Sequence, residues 1–274
     1  MYYRTTPTRR RGSGCSGRLI MALAIAAFSL FSYFSSRQDN PVTGETQYID
    51  ITPEQEIALG LEAAPQMAQE FGGLDENAND QAIVDEIGNR IIQSSPAGNS
   101  PYEFDFHLLD DEQTINAFAL PGGQIFITRA LYDKLQTEGE LAGVLGHEIG
   151  HVVGRHSAEH IAKAKLTEGL TGAAVIAAYD PDNPSSVSRA QIAVLIGQLI
   201  NLKFGREDEL ESDYLGVCFI NDAGYDPNEL IGVMEVLAAA QTGDRPPEFF
   251  STHPNPENRI QRIQDAIQNI NICP

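Results

Sequence analysis

His147-Glu148-Ile149-Gly150-His151 is the stretch on which the interpretation of this chain rests. Residues four positions apart lie on one face of an α-helix, so the two imidazoles of this pentad are predicted to lie one turn apart. Two imidazoles on one face can hold a single zinc ion and leave positions for a third protein ligand and a water molecule. Glu148, beside the first histidine, can then take a proton from that water. The pentad therefore predicts the chemistry of a zinc peptidase.

The sequence on both sides of the pentad predicts a buried helix. Residues 141–146 and Val152-Val153 are apolar or glycine, as expected around a rigid metal-binding turn. Thr137 and Glu140 have the spacing of a capping box, which predicts where the helix begins. The alternative is an amphipathic helix with two surface histidines, and it is disfavoured because such a helix is not apolar on both sides of its histidines.

A second histidine pair follows in the segment His156-Ser157-Ala158-Glu159-His160, which has the inverted H-x-x-E-H pattern. On one continuous helix, at about 100° per residue, His156 lies roughly opposite His147. The two pairs then cannot share one ion. We interpret His156 and His160 as histidines of a polar face or of side-chain packing.

The third ligand is predicted from an acidic segment, residues 204–216. Glu209 and Asp213 are four residues apart, so both carboxylates share one face of a helix. One can bind the ion, and the other can accept the ring N–H of a ligating histidine, which fixes the tautomer of that ring. The neighbouring acids interpreted as a solvated acidic face are Glu207, Asp208 and Glu211.

H-E-x-x-H followed by E-x-x-x-D is the gluzincin arrangement, and four further segments make the chain similar to metallopeptidase family 48, which includes the HtpX-, BepA- and LoiP-like zinc endopeptidases. These segments are N-P-V-T-G from Asn40, N-A-F-A-L-P-G-G from Asn116, A-G-Y-D-P from Ala223 and S-T-H-P from Ser251. The resemblance implies one Zn²⁺ per chain, held by His147, His151 and Glu209. It also implies that Glu148 is the general base and that Asp213 supports a ligating histidine.

The same resemblance implies an α+β, mainly helical zincin fold, in which a small antiparallel sheet edges the active-site helix. The residues agree, because 115–120 and 124–128 read as two strands of a hairpin joined by Pro121-Gly122-Gly123. A free edge at Asn116-Ala117-Phe118 could pair with an extended peptide substrate through main-chain hydrogen bonds. The alternative is an edge that the rest of the protein covers.

His253 lies in the S-T-H-P segment and is our candidate for a catalytic donor that stabilises the oxyanion. The same side chain could instead reach the zinc and occupy the position of the water, which would hold the enzyme inactive. The third interpretation is a loop histidine that packs locally.

Two apolar, Ala- and Gly-rich runs, residues 169–178 and 192–202, lie between the metal-binding segments. Each run is too short to span a bilayer. They predict a helical hairpin that covers the site, either as core packing or as a mobile lid or membrane-dipping plug.

Residues 1–39 are predicted to be a basic N-terminus with a signal sequence or membrane anchor, and residues 40–274 to be the zinc metallopeptidase domain. Five Arg and no acid occur between residues 4 and 18, and residues 19–34 are largely apolar. No A-x-A-like cleavage site follows, which favours an anchor. The alternative is a disordered basic tail with a buried helix. The first interpretation predicts the periplasm or another extracytoplasmic compartment, with the domain either membrane-anchored or secreted.

The domain is strongly acidic: six of the 18 Lys and Arg lie at or before Arg37, whereas all 38 Asp and Glu follow it. Such a surface repels nucleic acid and anionic membrane, so nucleic acid is excluded as a partner. The predicted function is zinc-dependent hydrolysis of peptide bonds in unfolded or misfolded envelope or membrane-associated proteins. The alternative is a zinc-bound, non-catalytic chaperone on the same fold, and the oligomeric state is left open.

Cys15, Cys218 and Cys273 are too few for a disulfide scaffold. Cys218 and Cys273 could pair in an oxidising compartment; otherwise one is a buried thiol and the other a terminal thiol.

Overall fold

The computed structural model describes residues 14–178, 204–241, 247–254 and 258–273. The helices within these ranges are α1 (Gly14–Ser35), α2 (Pro53–Glu70), α3 (Ala78–Ser94), α4 (Arg129–Tyr132), α5 (Glu138–Val153), α6 (His156–Ala178), α7 (Arg206–Asp222), α8 (Glu229–Ala239), α9 (Phe249–Thr252) and α10 (Arg259–Gln268). The strands are β1 (Arg37–Asp39), β2 (Thr46–Tyr48), β3 (Asp105–Leu109), β4 (Ala117–Ala119) and β5 (Gln124–Thr128). The predicted mainly helical α+β class is confirmed. Of the predicted helical hairpin over the site, residues 169–178 form the end of α6, and the run 192–202 lies outside the described residues.

β3, β4 and β5 form one sheet in the order β3-β5-β4. β4 and β5 are antiparallel, with Phe118 opposite Phe126, so the predicted hairpin is confirmed. The prediction of an antiparallel sheet needs one correction, because β3 pairs with the other side of β5 in the parallel direction. This pairing arises because the chain between β3 and β5 passes through β4, on the far side of β5. β5 is therefore central and buried along its length, and β4 is an edge strand.

The pentad lies on α5, which packs against α7 in the core. α5 begins at the predicted cap, where Thr137 accepts a hydrogen bond from the N–H of Glu140 at 3.0 Å. The two helices approach closely because each has a glycine at the crossing. A Cβ on Gly150 would lie 2.9 Å, and a Cβ on Gly216 3.1 Å, from a backbone atom of the partner helix. This close approach brings the acidic face of α7 to the histidines of α5.

The assumption of one continuous helix through both histidine pairs is wrong. α5 ends at Val153, and α6 begins only after a turn formed by Gly154-Arg155. Arg155 has a φ of 57°, in the left-handed region that a side chain rarely adopts, so the chain changes direction there. The turn places His156 against His151 instead of opposite His147.

α1 packs along α6, so the N-terminal segment lies beside the helix that follows the pentad. Gly17–Ser35 is long and apolar enough to cross a membrane, judged by length and composition, and little of it is buried inside the protein. Next to the β1–β2 hairpin that follows α1, Asn40 donates a hydrogen bond to the carbonyl oxygen of Val153 at 2.8 Å. The chain that directly follows the N-terminal segment is thus attached to the C-terminal end of α5.

Cys218 and Cys273 form a disulfide bond, which decides between the two alternatives that the sequence left open. Their Cα atoms are 5.7 Å apart. The bond joins α7, which carries the acidic residues of the predicted site, to the C-terminal residues beyond α10.

Candidate metal centre

Four buried side chains converge on one point. One ligand atom of each lies within 4.8 Å of the others, and the four residues are His147, His151, Glu209 and His253. The Nε2 atoms of His147 and His151 are 3.0 Å apart, and the nearest oxygens of Glu209 lie 3.6 Å and 3.4 Å from them. Donors held about 2.0–2.1 Å from a tetrahedral ion lie about 3.3 Å from each other. The three predicted zinc ligands therefore come together at the spacing that one metal ion requires.

His253 joins this cluster from the end of α9. Its Nδ1 atom lies 3.3 Å from Nε2 of His147 and 3.1 Å from Oε1 of Glu209. The ring stacks on Phe249, with 4.4 Å between centroids, and the whole residue is buried. Of the three interpretations of His253, this geometry favours a fourth ligand most directly, because Nδ1 occupies the same spacing as the other donors.

Glu148 lies beside the cluster and is not one of its donors. The residue is fully buried, and neither carboxylate oxygen finds a hydrogen-bond partner among the described residues. Oε1 lies 3.6 Å from Nε2 of His253. Burial raises the pKa of Glu148, against the opposing effect of His253 and His147. A buried carboxylate without partners is costly unless it faces a ligand or water, so its position next to the cluster fits a proton acceptor.

Asp213 fixes the orientation of His147. Its Oδ1 lies 2.9 Å from Nδ1 of His147, on the side of the ring away from the cluster. When the proton is on Nδ1, Nε2 is unprotonated, and its lone pair is available to bind a metal ion. Burial alone would raise the pKa of Asp213, but Arg259 and His147 lower it further than burial raises it, so the carboxylate stays charged. The structure thus places Asp213 where the resemblance predicted it.

His151 has a hydrogen-bonding neighbour, His156, that the sequence did not predict. Its Nδ1 lies 2.9 Å from Nδ1 of His156, whose Nε2 is 3.2 Å from Glu211. The interpretation of Glu211 and Asp208 as part of a solvated acidic face is therefore wrong. Glu211 pairs with His156, and Asp208 is buried and lies 2.7 Å from Nε2 of His160. The turn between α5 and α6 explains the error, because it folds the second histidine pair back onto the acidic helix.

Arg259 at the start of α10 is the functional residue that the sequence analysis missed. Its guanidinium is buried and contacts Asp213 twice, at 2.7 Å and 2.9 Å, and Nη1 lies 3.1 Å from Oε2 of Glu209. Three carboxylates, of Glu148, Glu209 and Asp213, are buried at this site, and the guanidinium contacts two of them, Glu209 and Asp213. A divalent cation would balance the remaining charge, since burying uncompensated charge is costly. The donor set and the charge of the site both fit a divalent metal ion.

The burial of Arg259 could have been predicted from the helical spacing of the residues around it. Ile260, the apolar residue next to Arg259 on the last helix, is 43% exposed. The residues that α10 buries are Arg259, Ile263 and Ala266, which have i, i+4, i+7 spacing. A lone arginine at the first position of such a stripe, in a strongly acidic chain, indicates a buried charge partner.

Comparison with known proteins agrees with this centre. Residues 78–267 match the family model described as Peptidase family M48. The chain is 31% identical over 237 residues to the mitochondrial metalloendopeptidase OMA1 of Schizosaccharomyces pombe, covering 85% of this chain and 67% of that protein. It is 31% identical over 188 residues to the beta-barrel assembly-enhancing protease of Escherichia coli, covering 65% of this chain and 37% of that protein. The chain thus spans about a third of the length of the bacterial relative. It belongs to peptidase family M48 and is a metallopeptidase.

Proposed function

We propose that this protein is a zinc-dependent endopeptidase that cleaves unfolded or misfolded envelope or membrane-associated proteins. One observation carries the proposal: three buried donors at metal-binding spacing lie beside Glu148, which shares a helix with two of them and whose carboxylate accepts no hydrogen bond from the described residues. The names of the relatives, a metalloendopeptidase and a protease, support the same activity.

The residues take separate roles in this proposal. His147, His151 and Glu209 hold one Zn²⁺, which when bound activates a water molecule and polarises the substrate carbonyl. Glu148 accepts the proton of the attacking water and passes it to the leaving amine, a role that suits a carboxylate whose pKa is raised by burial. Asp213 holds the ring of His147 in the correct tautomer, and Arg259 balances the charge of the carboxylates.

We expect the purified full-length chain to degrade a reduced, unfolded protein and to stop when a zinc chelator is added. Loss of the ion leaves the donors without the group that activates water, so the residual rate should be at background. Adding back Zn²⁺ should restore cleavage, measured by the appearance of new peptide N-termini. Cleavage that continues unchanged in chelator would contradict a metallopeptidase mechanism, whereas metal-bound protein that never cleaves would favour the chaperone.

The proposed role of His253 is that of a fourth ligand in a resting state. The short distances from its Nδ1 to His147 and Glu209 support this role. A fourth protein donor fills the position that water needs, so substrate binding has to displace His253. The alternative, a donor that stabilises the oxyanion, uses Nε2, which has no hydrogen-bond partner among the described residues.

His253→Ala separates the two roles. If His253 blocks the position of water, removing it should raise kcat about tenfold and weaken zinc binding by about 10-fold or more. If it stabilises the oxyanion, kcat should fall by about 10²–10³-fold with zinc affinity unchanged. Both quantities can be measured on the same preparation, and a variant with neither change would leave His253 without either role.

Residues 1–39 are proposed to anchor the metallopeptidase domain of residues 40–274 to a membrane, on the extracytoplasmic side. α1 carries exposed apolar side chains such as Phe28 and Phe31, and lipid would cover them. Its packing along α6 supports a retained helix, because cleavage would remove a packed neighbour of the domain.

We expect the mature protein to keep α1 and to stay in the membrane fraction after an alkaline carbonate wash. A chain that starts after Ser36 should instead be released, because it lacks the apolar helix. N-terminal sequencing of the mature protein checks the same point. A mature N-terminus near residue 36 would show that the segment is a cleaved signal.

A further inference from the structure

His156 is a buried side chain that the proposed mechanism does not use. Its Nδ1 lies 2.9 Å from Nδ1 of His151, which the proposed function makes a zinc ligand. Its Nε2 lies 3.2 Å from Oε2 of Glu211, and the residue is only 1% exposed. The three side chains thus form a line that runs from the metal cluster through two imidazoles to a carboxylate on α7.

The role of His151 decides where the protons of this line lie. Two imidazole nitrogens that bond to each other share one proton, which one of the two rings must donate. His151 presents Nε2 to the cluster, 3.0 Å from Nε2 of His147, so this atom needs its lone pair for an ion. The proton of neutral His151 is then on Nδ1 and is donated to Nδ1 of His156. The proton of neutral His156 is on Nε2 and is donated to Glu211.

The bond to His156 supplies an orientation that ring stacking cannot supply. Phe204 stacks on His151, with 3.9 Å between the ring centroids, and so fixes the plane of the imidazole. A turn of 180° about the Cβ–Cγ bond would keep this plane but would place a ring carbon instead of Nε2 at the cluster. The turned ring would lose its bond to His156, so that bond selects the orientation that binds metal. Ser212, the other group near Nδ1 of His156, is farther away, at 3.4 Å.

The turn between α5 and α6 has the space that the ring of His156 needs. A Cβ on Gly154 would lie 2.6 Å from Nε2 of His156. Gly154 has a φ of −65° and a ψ of −13°, which alanine adopts without strain, so the imidazole and not the backbone requires glycine there. Arg155 holds the turn in place by donating hydrogen bonds to Glu56 at 3.0 Å and to the carbonyl oxygen of Ile51 at 3.2 Å.

We propose that His156 is a positioning residue for zinc binding, which accepts the Nδ1 proton of His151 while Glu211 fixes the tautomer of His156. The inference rests on the proposed function, in which His151 is a zinc ligand, and adds the groups that orient this ligand. His147 meets a carboxylate directly, at Asp213, whereas His151 reaches its carboxylate through a second imidazole. Loss of a group that supports a ligand typically costs about 10–100-fold in metal affinity.

The tautomers can be read in the metal-free, full-length protein in detergent, with isotope-labelled histidine. Nitrogen NMR should show the proton of His151 on Nδ1 and the proton of His156 on Nε2. In His156→Leu this preference should disappear, so that His151 populates both tautomers. A proton on Nε2 of His151 in the wild type would overturn the proposal, and that result needs no variant to fold.

Zinc affinity, measured by competition with a chromophoric chelator, tests the same hydrogen bond. His156→Leu should weaken binding by about 10–100-fold, because leucine cannot accept the proton. His156→Asn should restore most of the affinity, because the side-chain oxygen of asparagine can take the position of Nδ1. Gly154→Ala should resemble His156→Leu, since it displaces the ring.

The matched control is His160→Leu, the same change one turn further along α6. His160 bonds to Asp208 at 2.7 Å and is not one of the cluster's donors, so this variant should bind zinc like the wild type. Equal losses in His156→Leu and His160→Leu, or in His156→Leu and His156→Asn, would overturn the role of His156 as an acceptor.

A residue that acts through His151 predicts one further result. In a His151→Gln background, His156→Leu should cause no additional loss of zinc affinity, because the bond that it removes is already absent. Additive losses would show that His156 acts elsewhere and would overturn the proposal. A wild-type protein that binds zinc but cleaves nothing would contradict the endopeptidase alone, whereas one that binds no zinc would contradict both.

Discussion

Glu148→Gln is expected to lower the rate of peptide-bond hydrolysis by about 10²–10⁴-fold while the protein keeps its metal ion. Glutamine has the shape of glutamate, so the packing of the fully buried side chain is preserved. It cannot accept the proton of the attacking water, and no other carboxylate of the cluster is free, because Glu209 and Asp213 are engaged with histidines and Arg259. The expected loss is therefore in kcat, with little change in zinc content.

The measurement compares turnover and zinc stoichiometry on the same preparation of each protein. Glu168→Gln is a suitable control, because it makes the same chemical change at an exposed position on α6, the helix that follows the metal-binding one. That variant should cleave like the wild type. Undiminished cleavage by Glu148→Gln would reject Glu148 as the general base, and the loss of zinc would assign it a structural role instead.

His151→Gln is expected to weaken zinc binding by more than about 100-fold and to abolish proteolysis. Changes in residues that only support a ligand already cost about 10–100-fold in metal affinity, and the removal of a ligand costs more. His151 provides the Nε2 atom that lies 3.0 Å from Nε2 of His147 and 3.4 Å from Glu209, so it completes the set of three donors. Without it, one of the three ligands that leave a position for water is missing, and His253, which would have to replace it, would fill that position.

The control for this variant is His160→Gln, nine residues further along. His160 bonds to Asp208 at 2.7 Å and does not belong to the cluster of donors. It should therefore retain zinc affinity, measured by competition with a chromophoric chelator, and most of its activity. Equal losses in both variants would point to a general effect of removing a histidine, and retention of zinc by His151→Gln would remove His151 from the site.

Local spacing was enough to predict the chemistry of the centre. The i, i+4 rule placed His147 with His151 and Glu209 with Asp213, because each pair needs only one turn of one helix. The turn chemistry of Pro121-Gly122-Gly123 likewise predicted the antiparallel hairpin that ends at the edge strand. These features depend on residues that are close in the chain, so their geometry follows from the backbone of a single element.

Features that join distant parts of the chain were harder to predict. The parallel pairing of β3 with β5 and the choice of Cys218–Cys273 over free thiols both depend on packing across the core. The position of His156, opposite His147, was predicted wrongly because α5 and α6 are two helices and not one. A single left-handed residue, Arg155, ends the helix there, and its guanidinium donates hydrogen bonds to buried Glu56, to Gln38 and to the carbonyl oxygen of Ile51, which are distant in the chain.

By itself the sequence determined which side chains are candidates for the chemistry: two histidines and a carboxylate on one helix, and a pair of carboxylates on another. Only the tertiary structure decided what surrounds them, namely that Arg259 lies against Asp213 and Glu209 and that His253 reaches the same point as His147, His151 and Glu209. The physical reason is that helix periodicity is a property of neighbouring residues. The partner of a buried charge, in contrast, is chosen by how whole helices pack.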